Sequence, residues 1–160
     1  MPENSEIPLY KENLQKAIKN IRIADHMIYV TYPVIKDKRL LLKGLEQVHE
    51  ALTQVINAIL QYDYLFKRIQ LSKDPRANFD SFISKCAARY NINSEEINSV
   101  IELFTLAESH KKSPLEFMRR ERIVIMSDNL KTVSLDSDRL KKYLNLSKSL
   151  VNKAKFGMSI

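Results

Sequence analysis

Two glycines in 160 residues are too few for a fold built on tight turns, so an all-β sandwich or barrel is excluded at the outset. They are also too few for a glycine-rich phosphate-binding loop, and no Gly-x-Ser-x-Gly nucleophile turn occurs. Cys86 is the single cysteine, which rules out an intrachain disulfide and suits a reducing compartment. No apolar run approaches the roughly 18 residues that a membrane helix needs. Met1-Pro2-Glu3-Asn4-Ser5-Glu6 lacks the basic-then-apolar organisation of a signal peptide. The expectation is a cytoplasmic protein with no membrane partner, no resident cofactor and one domain over residues 1–160.

What is present is amphipathic helix. Tyr10, Leu14, Ala17, Ile21, Ala24, Ile28 and Thr31 alternate steps of four and three, which places one helix up to Thr31, with Pro33 expected to end it. Leu41, Leu45, Val48, Leu52, Val55, Ile59, Tyr62, Phe66 and Ile69 repeat the same spacing without a break. That seam predicts a rod over about Lys38 to Gln70, packed knobs-into-holes and long enough for two copies to share as a homodimer. Shorter apolar faces follow at Phe79–Tyr90, Ile97–Ala107 and Leu140–Ala154, with Asn93 or Ser94 and Asp136 or Ser137 as N-caps. Ile123–Met126 and Thr132–Leu135 read as strands around Ser127-Asp128-Asn129. The predicted fold is therefore mainly α: an antiparallel bundle of about five helices with a small β-hairpin near residues 122–135. The tail from Phe156 to Ile160 is expected to be loose.

Charge is unevenly distributed. Residues 1–108 hold 14 Lys+Arg and 14 Asp+Glu, whereas residues 109–160 hold 12 and 5, which accounts for the entire net +7. Lys111, Lys112, Arg119, Arg120, Arg122, Lys131, Lys141 and Lys142 form the densest basic set. Gathered on one face they would bind an anion such as RNA, DNA or an acidic protein, with Tyr143 or Phe117 available to stack on a base. A solvated lysine-rich helix face is the plainer explanation of the same residues.

Two clusters bear on catalysis. Arg22, Asp25 and His26 form a polar trio in an apolar helix, spaced so that Arg22 reaches both partners at i+3 and i+4. Such a trio serves a catalytic or ligand site, although structural neutralisation of Asp25 by Arg22 is commoner. Glu46 and His49 have the Glu-x-x-His spacing of bundle-type di-iron sites, but no second copy of that pair occurs.

The stretch Ile21-Arg22-Ile23-Ala24-Asp25-His26-Met27-Ile28-Tyr29-Val30-Thr31-Tyr32-Pro33-Val34-Ile35-Lys36-Asp37, followed by Leu40-Leu41-Leu42, resembles a family of small uncharacterised archaeal helical proteins. Lys85-Cys86-Ala87-Ala88-Arg89-Tyr90, His110-Lys111-Lys112-Ser113-Pro114-Leu115-Glu116-Phe117 and Ser127-Asp128-Asn129 carry the same resemblance, which spans most of the chain and implies no activity. A looser likeness is to the HEPN superfamily of helical bundles, whose ribonucleases carry an arginine followed after four to six residues by a histidine. Arg22-x-x-x-His26 is one residue too short for that pattern, so the likeness implies a binding module without the nuclease motif. Three functions follow as expectations: a non-enzymatic binding protein acting through its basic C-terminal third, an enzyme using the Arg22/Asp25/His26 cluster, and an oligomerising structural protein.

Overall fold

The structure, a computed structural model, describes residues 6–113, 115–126, 129 and 131–160, with Leu115 described by its backbone alone. It is mainly α, with five helical segments and one small antiparallel sheet among those residues.

The first segment starts with α1 (Leu9–His26), passes through a π-turn at Met27–Thr31 and ends in one further turn, α2 (Tyr32–Ile35). Pro33 does not stop it, contrary to the expectation from sequence. In the π-turn the Tyr32 N–H reaches back to the Met27 carbonyl, so the hydrogen-bond ladder is already widened where Pro33 has no N–H to give. Termination falls instead to Lys36, which turns into the left-handed region at φ 56°.

The central rod is α3 (Arg39–Leu65). Leu41, Leu45, Val48, Leu52, Val55 and Ile59 have no exposure, as the seam predicts. Burial of that kind contributes roughly 1.5–3 kcal/mol per side chain before chain entropy is subtracted. The rod is shorter than the seam suggested: the helix closes at Phe66, whose side chain is exposed, and Ile69 reaches the core from the loop beyond. Lys67 at φ 58° makes that turn. From Leu41 to Ile59 the seam is covered within the chain, by α1 above all.

Next comes α4 (Pro75–Ser81), capped by Asp74, which runs through a π-turn (Phe82–Cys86) and a 3-10 turn (Ala87–Tyr90) to Asn91 at φ 56°. Asn93 then caps α5 (Ser94–Lys112) in a reciprocal box with Glu96. Asp136 caps α6 (Ser137–Gly157) by accepting the Arg139 N–H. The tail is not loose: helix continues to Gly157 and Met158 is buried.

Between α5 and α6 the chain forms β1 (Leu115–Arg119), β2 (Arg122–Met126) and β3 (Thr132–Leu135), antiparallel and in the order β1-β2-β3. The expected hairpin is β2–β3; its proposed turn at Ser127 and Asp128 lies outside the described residues. β1 is an addition that sequence reasoning missed. Ile123, Ile125 and Leu135 seal the sheet onto the bundle.

Helix directions fix where each end lies. Tyr10 of α1 meets Tyr62 of α3 edge-on, with ring centroids 5.0 Å apart, while Asn20 bonds Gln47, so these helices run antiparallel. Near the other end of α3, Gly44 lets Leu140 of α6 approach so closely that an added Cβ would stand 2.9 Å from Leu140 Cδ2. α6 therefore starts beside the start of α3 and follows it, and its end meets Tyr90, the partner of Asp63.

Candidate functional site

The β1–β2 connection is a two-residue turn, because Arg119 pairs with Arg122 across it and only Arg120 and Glu121 lie between. A turn this short needs positive φ at its first residue, a position that glycine fills without strain. Here Arg120 fills it, at φ 56°. Three arginines are thereby displayed from one hairpin end, all exposed. Arg119 and Arg120 make no ion pair among the described residues, and Arg122 has only Asp136, at 4.0 Å.

This turn forms one wall of a cleft of about 890 Å³. Tyr32, delivered by the helical turn beyond the π-turn, lines the same cleft, as do Asp136, Ser137 and Asp138 at the N-terminus of α6. The cleft is mixed in charge, with Arg119, Arg120 and Arg122 balanced by Glu121, Asp136 and Asp138. Burial, with the nearby charges of Glu121 and Asp136, raises the Tyr32 pKa.

The rest of the basic set is dispersed, and much of it is engaged inside the chain. Lys112 pairs with Glu108 at 2.7 Å, Lys142 lies 3.8 Å from Glu102, and Lys141 stands over the Tyr29 ring at 5.1 Å. Lys111 lies near His49, and Lys131 precedes β3 at the end of the sheet opposite the arginine turn. Four steps of about 3.4 Å along β1, roughly 14 Å, separate the two ends. Other cations of the C-terminal third serve as fasteners: Lys148 to Asp25, Lys153 to Glu96 and Arg139 to Glu102. Tyr143 is fully buried, with its hydroxyl held by Arg139 at 3.0 Å, so it cannot stack on a base. Phe117 is exposed.

The catalytic candidates do not converge. Arg22 is exposed, Asp25 faces α6 through its 2.5 Å contact with Lys148, and the His26 ring bonds Thr31 at 3.2 Å. His49 packs edge-on against Phe104, centroids 5.2 Å apart. Burial, with Lys111 nearby, lowers its pKa. Glu46 turns to His110, 3.3 Å from Nε2, and away from the role suggested by the Glu-x-x-His spacing.

Two polar clusters escaped sequence reasoning. The His110 ring lies between Glu116, 2.5 Å from Nδ1, and Glu46 on Nε2, and so ties α5, β1 and α3 together. Burial opposes its charge, yet the two carboxylates prevail and its pKa is raised. Because they face opposite ring nitrogens, these three groups cannot converge on one metal ion. No cluster of three or more His, Cys, Asp or Glu side chains suited to a metal occurs among the described residues.

The second cluster centres on Asp63, which is completely buried in the last turn of α3. Its carboxylate accepts Arg89 Nη1 at 2.7 Å, Arg68 Nη1 at 3.0 Å and the Tyr90 hydroxyl at 2.9 Å. Burial and this carboxylate push the Cys86 thiol up to about 12, which removes it as a nucleophile near neutral pH. Only the i+5 spacing of Asp63 and Arg68 hinted at such a pair.

No protein-family model, curated protein or solved structure matches this chain. No helix among the described residues is long and apolar enough to cross a membrane.

Proposed function

We propose that this chain is a non-catalytic binding protein for single-stranded nucleic acid, and that its contact surface is the cleft beneath the arginine turn. The observation that carries this reading is the display of Arg119, Arg120 and Arg122 from one two-residue turn that lines a cleft together with Tyr32. Guanidinium groups on an outer turn suit phosphates, and an aromatic wall suits the face of an unpaired base.

The carboxylates decide between partners. Glu121, Asp136 and Asp138 repel the side chains of an acidic protein, whereas they accept hydrogen bonds from the exocyclic amines of cytosine, adenine and guanine. An unpaired strand offers both those amines and its phosphates; a duplex hides most of the base edge. The enzyme reading loses ground for a separate reason, since none of Arg22, Asp25, His26 and His49 lines the cleft beneath the arginine turn.

The test is fluorescence anisotropy with labelled single-stranded RNA, single-stranded DNA and a duplex across a salt series. Three phosphate contacts give a log-log salt slope of about −2 on a single strand. The expected result is salt-sensitive binding that prefers the single strands and weakens on Arg119→Ala or Arg122→Ala. Absence of salt-sensitive binding to every nucleic acid overturns the proposal.

A further inference from the structure

The opposite end of the bundle carries a different surface. Ile7 and Leu9 at the start of α1, Tyr64, Leu65 and Phe66 at the end of α3, and Phe156 at the end of α6 are between 50% and 83% exposed. The contact of Tyr10 with Tyr62, and the place of Tyr90 between Asp63 and Gly157, bring these three helix ends to one pole. Scattered apolar residues on a surface are ordinary; six large ones at one pole are not.

Cations surround them. Lys11, Lys67, Lys85 and Lys155 belong to the same end, and Asp63 fixes one Nη1 each of Arg68 and Arg89 there. The Arg68 guanidinium lies over the Phe66 ring, 5.4 Å from its centroid. Lys153, on the Asn91 carbonyl, adds a seventh cation; against them stand Glu6, Glu12, the buried Asp63 and, at the start of α5, Glu95 and Glu96, which leaves the pole at a formal +2. A second copy docked pole to pole would bring two basic rims together. An anionic bilayer surface matches both features, an apolar boundary beneath negative headgroups.

We infer that this pole is a peripheral contact surface for bilayers rich in anionic phospholipid. Leu65, Phe66 and Phe156 enter the boundary between headgroups and acyl chains, while Lys67, Lys155 and the Arg68–Arg89 pair meet lipid phosphates. The positive φ of Lys67 positions the anchor, because it turns the chain as α3 ends and leaves Tyr64–Phe66 as an outward knuckle. Such contact needs no spanning helix. The arginine turn stands at the other end of α6, whose 21 residues extend about 31 Å, so the cleft faces away from the bilayer.

The experiment is flotation of the full chain with phosphatidylcholine vesicles, with and without a large fraction of phosphatidylserine, at low and high salt. Flotation is expected only with the anionic vesicles at low salt. It should fall more than about tenfold in the double variant Leu65→Asp/Phe156→Asp and in Lys67→Glu/Lys155→Glu. The charge-reversed pair replaces no buried side chain and keeps the test decisive if the first variant folds poorly by circular dichroism. The Arg119→Ala variant should float as the parent does, which separates this pole from the nucleic-acid proposal. No flotation with anionic vesicles at low salt overturns the inference, as does flotation unchanged in both double variants. A dimeric mass in light scattering that either double variant returns to monomer also overturns it and assigns the pole to a second copy.

Discussion

The Lys148 ammonium stands 2.5 Å from Asp25 Oδ1, so a lysine of the basic third closes on an acid of the neutral part. The same exchange recurs where Lys153 meets Glu96 and where Arg139 meets Glu102. Part of the charge asymmetry along the chain is thus intramolecular complementarity: α6 is docked onto α1 and α5 by its own cations. That complementarity does not reach Arg119 and Arg120 of the β1–β2 turn, which make no ion pair among the described residues, while Arg122 has only the 4.0 Å approach of Asp136.

Removing either partner of the Asp25–Lys148 pair should be mild. The two side chains are 42% and 41% exposed, and an exposed ion pair contributes at most about 1 kcal/mol. Asp25→Ala and Lys148→Ala are each expected to lower stability by less than about 1 kcal/mol, with a coupling of roughly 0.5 kcal/mol in a double-mutant cycle read by urea denaturation. Neither should change nucleic-acid affinity. A large affinity change on Asp25→Ala would restore the polar trio as a functional site.

Sequence periodicity reached the helices because their apolar faces are long and regular; α3 and its buried seam are the clearest case. Its limits were physical. The chain passes Pro33 helically because a π-turn has already opened the ladder, and a π-turn leaves no mark in a period of 3.6. β1 was invisible because Leu115-Glu116-Phe117-Met118-Arg119 is rich in good helix formers, and the turn that follows has arginine where Asn or Gly is the usual sign. The basic set was legible as residues but not as a surface, since sheet geometry parts Lys111, Lys112 and Lys131 from the arginines. Asp63 and Arg89 are 26 positions apart, and no local pattern links them.

Asp63 should be far less tolerant than Asp25. Asp63→Ala leaves the Tyr90 hydroxyl in the core without its acceptor and frees two guanidinium groups that its carboxylate held. Breaking a buried pair costs about 3–5 kcal/mol when the surviving charge stays buried. Arg68 and Arg89 keep 35% and 41% side-chain exposure and can rehydrate, so a loss of about 2–3 kcal/mol is expected in the denaturant midpoint. Tyr90→Phe should cost less, about 1 kcal/mol, because it removes one donor and leaves both arginines paired. Equal tolerance of Asp63→Ala and Asp25→Ala would contradict this account.

The two buried-edge histidines should pull stability in opposite directions with pH. His110 has a raised folded-state pKa, so its contribution is fully present below the unfolded value of about 6.5 and is lost as pH rises through the folded value. His49 has a lowered one, so its contribution is present above about 6.5 and is lost as pH falls toward the folded value. Urea midpoints from pH 5 to 9 are expected to show His110→Gln flattening the decline on the alkaline side. His49→Gln should flatten the decline on the acid side. If His110→Gln leaves the alkaline limb unchanged, the bridge from Glu46 to Glu116 does not bind its proton as described.

Arg120 offers the sharpest separation of fold from function. Its backbone holds a left-handed conformation that disfavours any residue with a Cβ by roughly 1–2 kcal/mol, part of which glycine would regain despite its greater freedom in the unfolded chain. Arg120→Gly should therefore raise stability by about 0.5–1 kcal/mol, seen as a higher urea midpoint at unchanged slope. If the side chain meets a phosphate, the same change weakens single-strand binding and makes the salt slope shallower by about 0.7. Stability and binding then move in opposite directions at one residue, as expected where strain is retained for a contact. A variant that is more stable and binds as tightly as the parent would show that Arg120 plays no part in binding, and that its unusual backbone needs another explanation.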